Sequence, residues 1–165
     1  MQLKRTLKHL FSTRVGTRAR FQASVEQTIS GAIQQAESRT NGEIRFAIET
    51  ALDIEDLWAG VEPRERARQV FAQLGVWDTE LRNGVLIYVL VADRDVEIVA
   101  DRGAAARISP TEWEAVCRLI ESHFREGRFQ DGALAGVEAV GGLLEREFPS
   151  RAVNRDELPN QPTLL

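Results

Sequence analysis

The segment from Asn83 to Gly103 constrains the fold more than any other part of this chain. It reads Asn-Gly-Val-Leu-Ile-Tyr-Val-Leu-Val-Ala, then Asp93-Arg94, then Asp-Val-Glu-Ile-Val-Ala-Asp-Arg-Gly. Residues 85–91 are apolar at successive positions, which is typical of a strand covered on both faces. Asp93-Arg94 is consistent with a two-residue hairpin turn, although it lacks the glycine that such turns prefer. The segment therefore predicts two antiparallel strands.

This turn also predicts the register of the hairpin. It places Gly84 opposite Gly103 and Leu86 opposite Asp101, so Asn83 and Asp101 are expected at the same edge of the sheet. Asp93 is then expected at the other edge, because each strand residue advances the chain by about 3.3 Å. The polar residues of the segment form two separate groups, and only one can belong to a given site.

The flanking segments add a parallel strand and several helices. Residues 43–49 alternate between apolar and polar side chains, which predicts a half-buried strand. Residues 63–75 have helical periodicity that starts at a proline and ends at a glycine. A strand, a crossover helix and a second strand predict a right-handed βαβ unit with parallel strands. Further helices are predicted over 18–39, from a capping box at Ser109 to about 125, and over 131–148.

These elements predict an α/β fold, a three-layer sandwich. Its mixed sheet has three to four strands, built from the βαβ unit and the antiparallel hairpin and flanked by helices. A chain of 165 residues fits one such domain. Residues 1–16 are interpreted as a basic amphipathic N-terminal arm, and residues 17–148 as the α/β domain. Residues 149–165 hold three prolines and few apolar groups, which predicts a disordered tail.

Charge is unevenly distributed along the chain. The first twenty residues hold six Lys or Arg and no acid, whereas the rest holds 15 basic and 25 acidic side chains. Nucleic acid is not expected as a partner, because phosphate contacts need a basic surface and the body is acidic. The arm either docks on its own domain or makes a peripheral membrane contact through Lys4, Arg5 and Lys8.

Other features limit the compartment. Cys117 is the single cysteine, so no internal disulfide can form, and a reducing compartment is favoured. No apolar run approaches the ~20 residues needed to span a bilayer, and no signal-peptide pattern follows the basic N-terminus. The sequence therefore predicts a cytoplasmic protein.

Polar side chains converge on the sheet edge that holds Asn83. Carboxylate and amide oxygens from two loops suit calcium or magnesium, although the same residue types also make turns and caps. The candidate metal ligands are Asp78, Asn83 and Asp101. The candidate ligand-binding residues around them are Glu43, Glu80, Arg102 and Arg107.

The sequence gives little indication of a zinc site, a nucleotide-binding loop or a catalytic residue. His9 and His123 lie far apart in sequence and in no zinc-binding pattern, and there is no phosphate-binding glycine loop. No residue is assigned a catalytic role. Trp58 and Trp77 are typical of a core or groove, but if exposed they would mark a partner surface.

Several motifs in this order resemble the TPM-domain family, also called TPM phosphatase. They are Thr40-Asn-Gly-Glu-Ile44, the helix 67–75, Asn83-Gly-Val-Leu86, the Asp93-Arg94 turn, Gly103 and the segment from Phe124 to Gly132. The resemblance covers roughly residues 25–147. It implies a three-layer sandwich, often with a divalent cation near the Asn-Gly loop and the loop after the hairpin, and phosphatase activity is claimed for some members.

The chain departs from the family pattern after the hairpin. Asp101-Arg-Gly-Ala-Ala-Ala-Arg107 replaces a glycine-rich segment that ends in glutamate, and the added guanidinium groups weaken the electrostatic case for a cation. The cofactor is therefore predicted to be either none or a divalent cation. We interpret the chain as a TPM-like binding domain, non-catalytic or only vestigially catalytic, that works in the cytoplasm with a protein partner or at the membrane surface. The alternative is a metal-assisted phosphohydrolase of low activity.

Overall fold

The computed structural model describes residues 2–12, 14–150 and 156–165. The helices are α1 (Gln2–Phe11), α2 (Arg14–Arg20), α3 (Ala23–Glu37), α4 (Ile54–Ala59), α5 (Pro63–Gln73), α6 (Arg102–Ala105), α7 (Pro110–Arg125) and α8 (Phe129–Glu147). The strands are β1 (Glu43–Glu49), β2 (Gly84–Leu90), β3 (Asp95–Ala100) and β4 (Thr163–Leu164). The helix predicted over 18–39 is therefore two helices, with a break before Ala23.

The sheet has the order β3-β2-β1-β4, with β1 parallel to β2 and to β4, and β3 antiparallel to β2. α5 is the crossover between β1 and β2. The predicted βαβ unit and antiparallel hairpin are thus confirmed. All seven residues of β2 are buried, as its continuous apolar sequence predicts.

Two apolar clusters cover the two faces of the sheet. Alternate side chains of β1 and β2, including Phe46 and Ile87, pack against α3, α7 and α8. The opposite face, which includes Leu86 and Tyr88, packs against α4 and α5. The strand period of two residues directs successive side chains to opposite faces, which fills both clusters. The predicted three-layer α/β sandwich is confirmed.

The predicted hairpin register is wrong by two residues. Leu86 pairs with Val99 rather than Asp101, and the connection is a four-residue turn over 91–94. The turn contains no glycine, and Arg94 takes a left-handed conformation with φ 56°. The backbone N–H groups of Val91 and Ala92 donate to β1 and its extension, which draws both residues out of the hairpin. A shift of two residues keeps every side chain on its face, so Asn83 and Asp101 stay at one edge.

β1 is not half-buried, because all seven of its residues are buried. Glu49 is covered by Arg66 of α5, and Arg45 by the C-terminal segment. The disordered-tail prediction is wrong for residues 156–165, while residues 151–155 lie outside the described part. β4 pairs with β1, and Leu158 joins the apolar cluster on the face of the sheet that α4 and α5 cover. Long-range contacts to β1 supply the order that the composition of this segment does not predict.

α1 docks on the domain beside α4. His9 is buried, and its Nδ1 accepts a hydrogen bond of 2.9 Å from the backbone N–H of Leu52. Arg5 Nε donates to Asp93 Oδ2 over 2.9 Å, and His9 Nε2 lies 3.1 Å from the other oxygen of that carboxylate. The side chain of Lys4 lies outside the described residues. The arm is therefore attached at the sheet edge opposite Asn83.

Candidate cation site

The polar edge is built by the starts of two parallel strands and the end of a third. Glu43 and Gly84 begin β1 and β2 and are register partners. The backbone N–H of Asp101 donates to the carbonyl of Gly84 over 2.9 Å. Asn83 and Asp101 therefore leave the sheet side by side, as the sequence predicts despite the register error. We call the edge that contains Asn41, Glu43, Asn83 and Asp101 the polar rim.

Two glycines let the 76–82 loop pack closely against the polar rim. A Cβ on Gly84 would lie 2.0 Å from the carbonyl oxygen of Val76, and one on Gly103 would lie 2.5 Å from that of Leu81. Neither approach leaves room for a side chain. Arg82, just before Asn83, has φ 53°, a left-handed conformation that is uncommon for residues other than glycine. The sequence thus fixes the backbone around Asn83 by close contact.

Asn83 and Asp101 each hold one buried oxygen that has no hydrogen-bond partner among the described residues. Asn83 is fully buried, and its Nδ2 donates to the carbonyl of Asn41 over 2.7 Å, leaving Oδ1 as the unpaired atom. Asp101 caps α6 through Oδ1, which accepts from the backbone N–H of Arg102 over 2.7 Å, and leaves Oδ2 unpaired. Buried acceptors are normally paired with a donor, a water molecule or an ion, so these two atoms are the candidates for binding an ion at the polar rim.

The other predicted site residues are placed differently. Asp78, Glu80 and Arg102 are exposed. Glu80 contacts the C-terminal segment, its backbone N–H donating to Glu157 Oε2 over 2.9 Å. Arg107 donates to the carbonyl of Glu147 over 2.8 Å, and its guanidinium lies 4.5 Å from the centre of the Phe148 ring. The structure therefore brings Asn83 and Asp101 together, while Arg107 contacts the end of α8.

A second acidic group lies at the polar rim. One oxygen each from Glu37, Glu43 and Asp156 lies within 4.8 Å of the others. Glu37 Oε1 accepts from the N–H of Ile44 over 2.8 Å, and Glu43 Oε2 accepts from the N–H of Leu158 over 3.0 Å. Burial, with smaller contributions from neighbouring carboxylates, raises the pKa of Glu37 to about 8 and that of Glu43 to about 7.

Of these three residues, only Glu43 was predicted from the sequence. Glu37 occupies a polar position of a helical pattern, and Asp156 lies in the segment that was predicted to be disordered. The only available signal was the proximity of Glu37 to the start of β1, since a helix that ends beside a strand can direct its last side chains to that strand.

A third polar group lies at the far end of β1, and its members, Glu49, Arg66 and Tyr88, pair with one another. Arg66 binds both oxygens of the buried Glu49 carboxylate, at 2.8 and 2.9 Å, and the Tyr88 hydroxyl donates to Glu49 Oε2 over 2.5 Å. Burial raises the pKa of Tyr88. Because these charges satisfy one another, the group attaches α5 to the sheet and needs no ligand.

Among the described residues, no helix combines the length and apolar character needed to cross a membrane.

Residues 17–143 match the family described as the TPM domain. The BA42 protein of the psychrophilic bacterium Bizionia argentinensis has a similar solution structure, with a TM-score of 0.77 and 36% sequence identity over 87% of this chain and 94% of that one.

Two more distant structures share the fold alone. The N-terminal domain of the cg2496 protein from Corynebacterium glutamicum has a TM-score of 0.56 at 16% identity, covering 81% of this chain and 80% of that one. An N-terminal domain from P. gingivalis has a TM-score of 0.56 at 22% identity, covering 79% and 82%. No curated protein matches this chain.

Proposed function

This chain belongs to the TPM domain family, and we propose that it is a binding domain that holds a divalent cation, calcium or magnesium, between Asn83 and Asp101. The observation that carries the proposal is the pair of buried oxygens, Asn83 Oδ1 and Asp101 Oδ2, that no described residue satisfies. Hard cations take oxygen ligands of this kind, and Asp101 supplies negative charge. The cation would give the polar rim a fixed shape for recognition of a protein partner.

The side chains of the arginines near Asp101 in sequence, Arg102 and Arg107, do not pair with its carboxylate among the described residues. A guanidinium bound to Asp101 would replace the cation, since arginine stays protonated. No ion pair of Asp101 occurs among the described residues, where Arg102 is exposed and contacts Asp101 through its backbone N–H. Arg107 is engaged by Glu147 and Phe148 instead. The acceptor Oδ2 of Asp101 therefore stays available for an ion.

The acidic group of Glu37, Glu43 and Asp156 is the rival position for a cation on the same rim. Its geometry allows three oxygen ligands. However, backbone N–H groups already occupy one oxygen of Glu37 and one of Glu43, and the raised pKa values favour a proton on Glu37 and leave Glu43 about half protonated at neutral pH. An ion there would have to displace those protons, so we assign the cation to Asn83 and Asp101.

Metal-assisted phosphohydrolysis ranks second. Such an enzyme would use a cation to polarise a phosphate oxygen and a nearby arginine to stabilise developing charge. Arg102 is exposed close to Asp101 and could take this role, whereas Arg107 is held by Glu147. Hydrolysis of a phosphate monoester by the calcium- or magnesium-loaded protein, lost in Arg102→Ala but with cation affinity retained, would favour this function over pure binding.

Calorimetric titration of chelator-treated protein with calcium and magnesium tests the primary proposal. Asp101→Asn keeps an oxygen to cap α6 but removes the charge, and should lower cation affinity at least about tenfold. Asp78→Asn removes the same charge from an exposed position of the adjacent loop and should leave affinity within about twofold. Circular dichroism of both variants checks that they fold.

Two results would contradict the assignment. If calcium and magnesium fail to bind even at millimolar concentration, the cation proposal is wrong. If Glu43→Gln abolishes binding while Asp101→Asn leaves it unchanged, the ion occupies the acidic group of Glu37, Glu43 and Asp156 instead.

A further inference from the structure

An apolar surface on α1 and α4 is left uncovered. It is formed by five exposed large side chains, which we call the apolar patch: Leu7, Leu10, Phe11, Ile54 and Trp58. Phe11 is 80% exposed and Trp58 78% exposed. Patches of this kind on a folded domain mark contact sites for another molecule. We propose that the apolar patch, with the basic α1 that carries part of it, docks this domain on the surface of an anionic lipid bilayer.

The buried contacts of α1 hold the apolar patch outward. His9 is buried, and its Nδ1 accepts the backbone N–H of Leu52 in the loop before α4, while Arg5 pairs with Asp93 on the turn between β2 and β3. Leu7, Leu10 and Phe11 are not on the face that these residues anchor, so they remain exposed while α1 is docked. Docking on the domain and contact with lipid are thus compatible, although the sequence presented them as alternatives.

The charge next to the patch selects an anionic surface. Lys8 is exposed on α1, and the first twenty residues carry six basic side chains without an acid. Each basic residue near an anionic bilayer adds attraction, while the acidic remainder of the chain is repelled from the same surface. This asymmetry orients the domain with α1 toward the lipid. Arg5 contributes less than the sequence predicted, because Asp93 already pairs with it.

The acids of α4 limit how deeply the domain enters. Asp53 and Glu55 are exposed near the patch and would lose hydration if they were buried in hydrocarbon. Ile54 and Trp58 are four residues apart and share one face of α4, and Glu55 lies at the edge of this face, about 100° from Ile54 and about 60° from Trp58 around the helix. Shallow contact at the depth of the headgroups accommodates both, and tryptophan is enriched at that depth in membrane proteins.

Vesicle sedimentation tests the proposal. The probes are vesicles of phosphatidylcholine alone and of phosphatidylcholine with about one-third phosphatidylglycerol. All samples contain a chelator, so that a cation at Asn83 and Asp101 cannot bridge protein and lipid. We expect binding only to the anionic vesicles, with a partition coefficient that falls at least about tenfold when salt is raised.

Variants distinguish binding through the apolar patch from non-specific adsorption of the protein to vesicles. Trp58→Ser and Phe11→Ser together should lower the partition coefficient at least about tenfold, because the aromatic contacts are lost while the basic charge stays. Trp77→Ser is the matched control, since Trp77 is 55% exposed on the loop after α5 and lies outside the patch. In a Trp77→Phe background, anionic vesicles should shift the tryptophan emission to shorter wavelength as Trp58 leaves water.

Three results would overturn the proposal. The first is equal sedimentation with neutral and anionic vesicles, and the second is unchanged binding of the Trp58 and Phe11 double variant. The third is a homodimer at equilibrium in solution that Trp58→Ser converts to a monomer, which would assign the apolar patch to a second copy of this chain.

Discussion

Replacing Glu37 by glutamine should weaken the pH dependence of stability at the polar rim. Burial raises the pKa of Glu37 to about 8 in the folded chain, from an ordinary value of 4.5. The folded state therefore binds the proton more tightly than the unfolded state, and stability falls as pH rises from about 5 to about 8. Glu43, with its pKa raised to about 7, acts in the same direction.

The size of the effect follows from the pKa difference. A shift from 4.5 to about 8 corresponds to at most about 5 kcal/mol. Structural relaxation and proton sharing with Glu43 reduce this figure, so we expect about 2–4 kcal/mol. Glutamine has no charge to lose and its oxygen can still accept the N–H of Ile44. Glu37→Gln should be close to the wild type in stability at pH 5 and about 2–4 kcal/mol more stable at pH 8.

Denaturant unfolding at several pH values between 5 and 8, in chelator, measures this difference. Glu26→Gln is the matched control, because it removes the same charge from a more accessible position of α3. The control should follow the wild type across the whole pH range. A wild type that gains stability between pH 5 and 8, or a Glu37→Gln variant that loses as much as the wild type, would refute the reasoning.

Three further predictions concern packing and burial. Gly103→Ala should lower the free energy of unfolding by about 1–3 kcal/mol, because its Cβ would clash with the carbonyls of Leu81 and Arg82. Gly31→Ala on α3 has open space around its Cβ and should raise the free energy of unfolding by up to about 1 kcal/mol. Denaturant unfolding measures both. Tyr88→Phe leaves the buried Glu49 carboxylate with one donor fewer and should lower the melting temperature, at a cost of about 1–3 kcal/mol. Cys117, whose pKa burial raises to about 12, should react with a thiol reagent at pH 8 only after denaturant is added, and fast labelling of the native protein would contradict this.

At the polar rim, the sequence predicts which residues meet but not how their side chains are paired. Asn83 and Asp101 were placed together because a hairpin must bring the start of one strand to the end of the next, whatever the exact register. The unpaired state of their two oxygens could not be predicted, since it depends on Asn41 and on the cap of α6. The involvement of Glu37 and Asp156 was missed, because they approach Glu43 from elements far away in the chain.

The sequence alone determined the order and type of the main elements. The apolar run of β2, the capping box at Ser109 and the proline before α5 act through neighbouring residues, so local chemistry fixes them. The tertiary structure decided what covers each face: it buried both sides of β1, paired β4 of the C-terminal segment with that strand and buried His9 against the backbone of Leu52. These outcomes depend on contacts between distant segments, whose burial and hydrogen bonds offset the entropy of ordering them, and no local pattern encodes that balance.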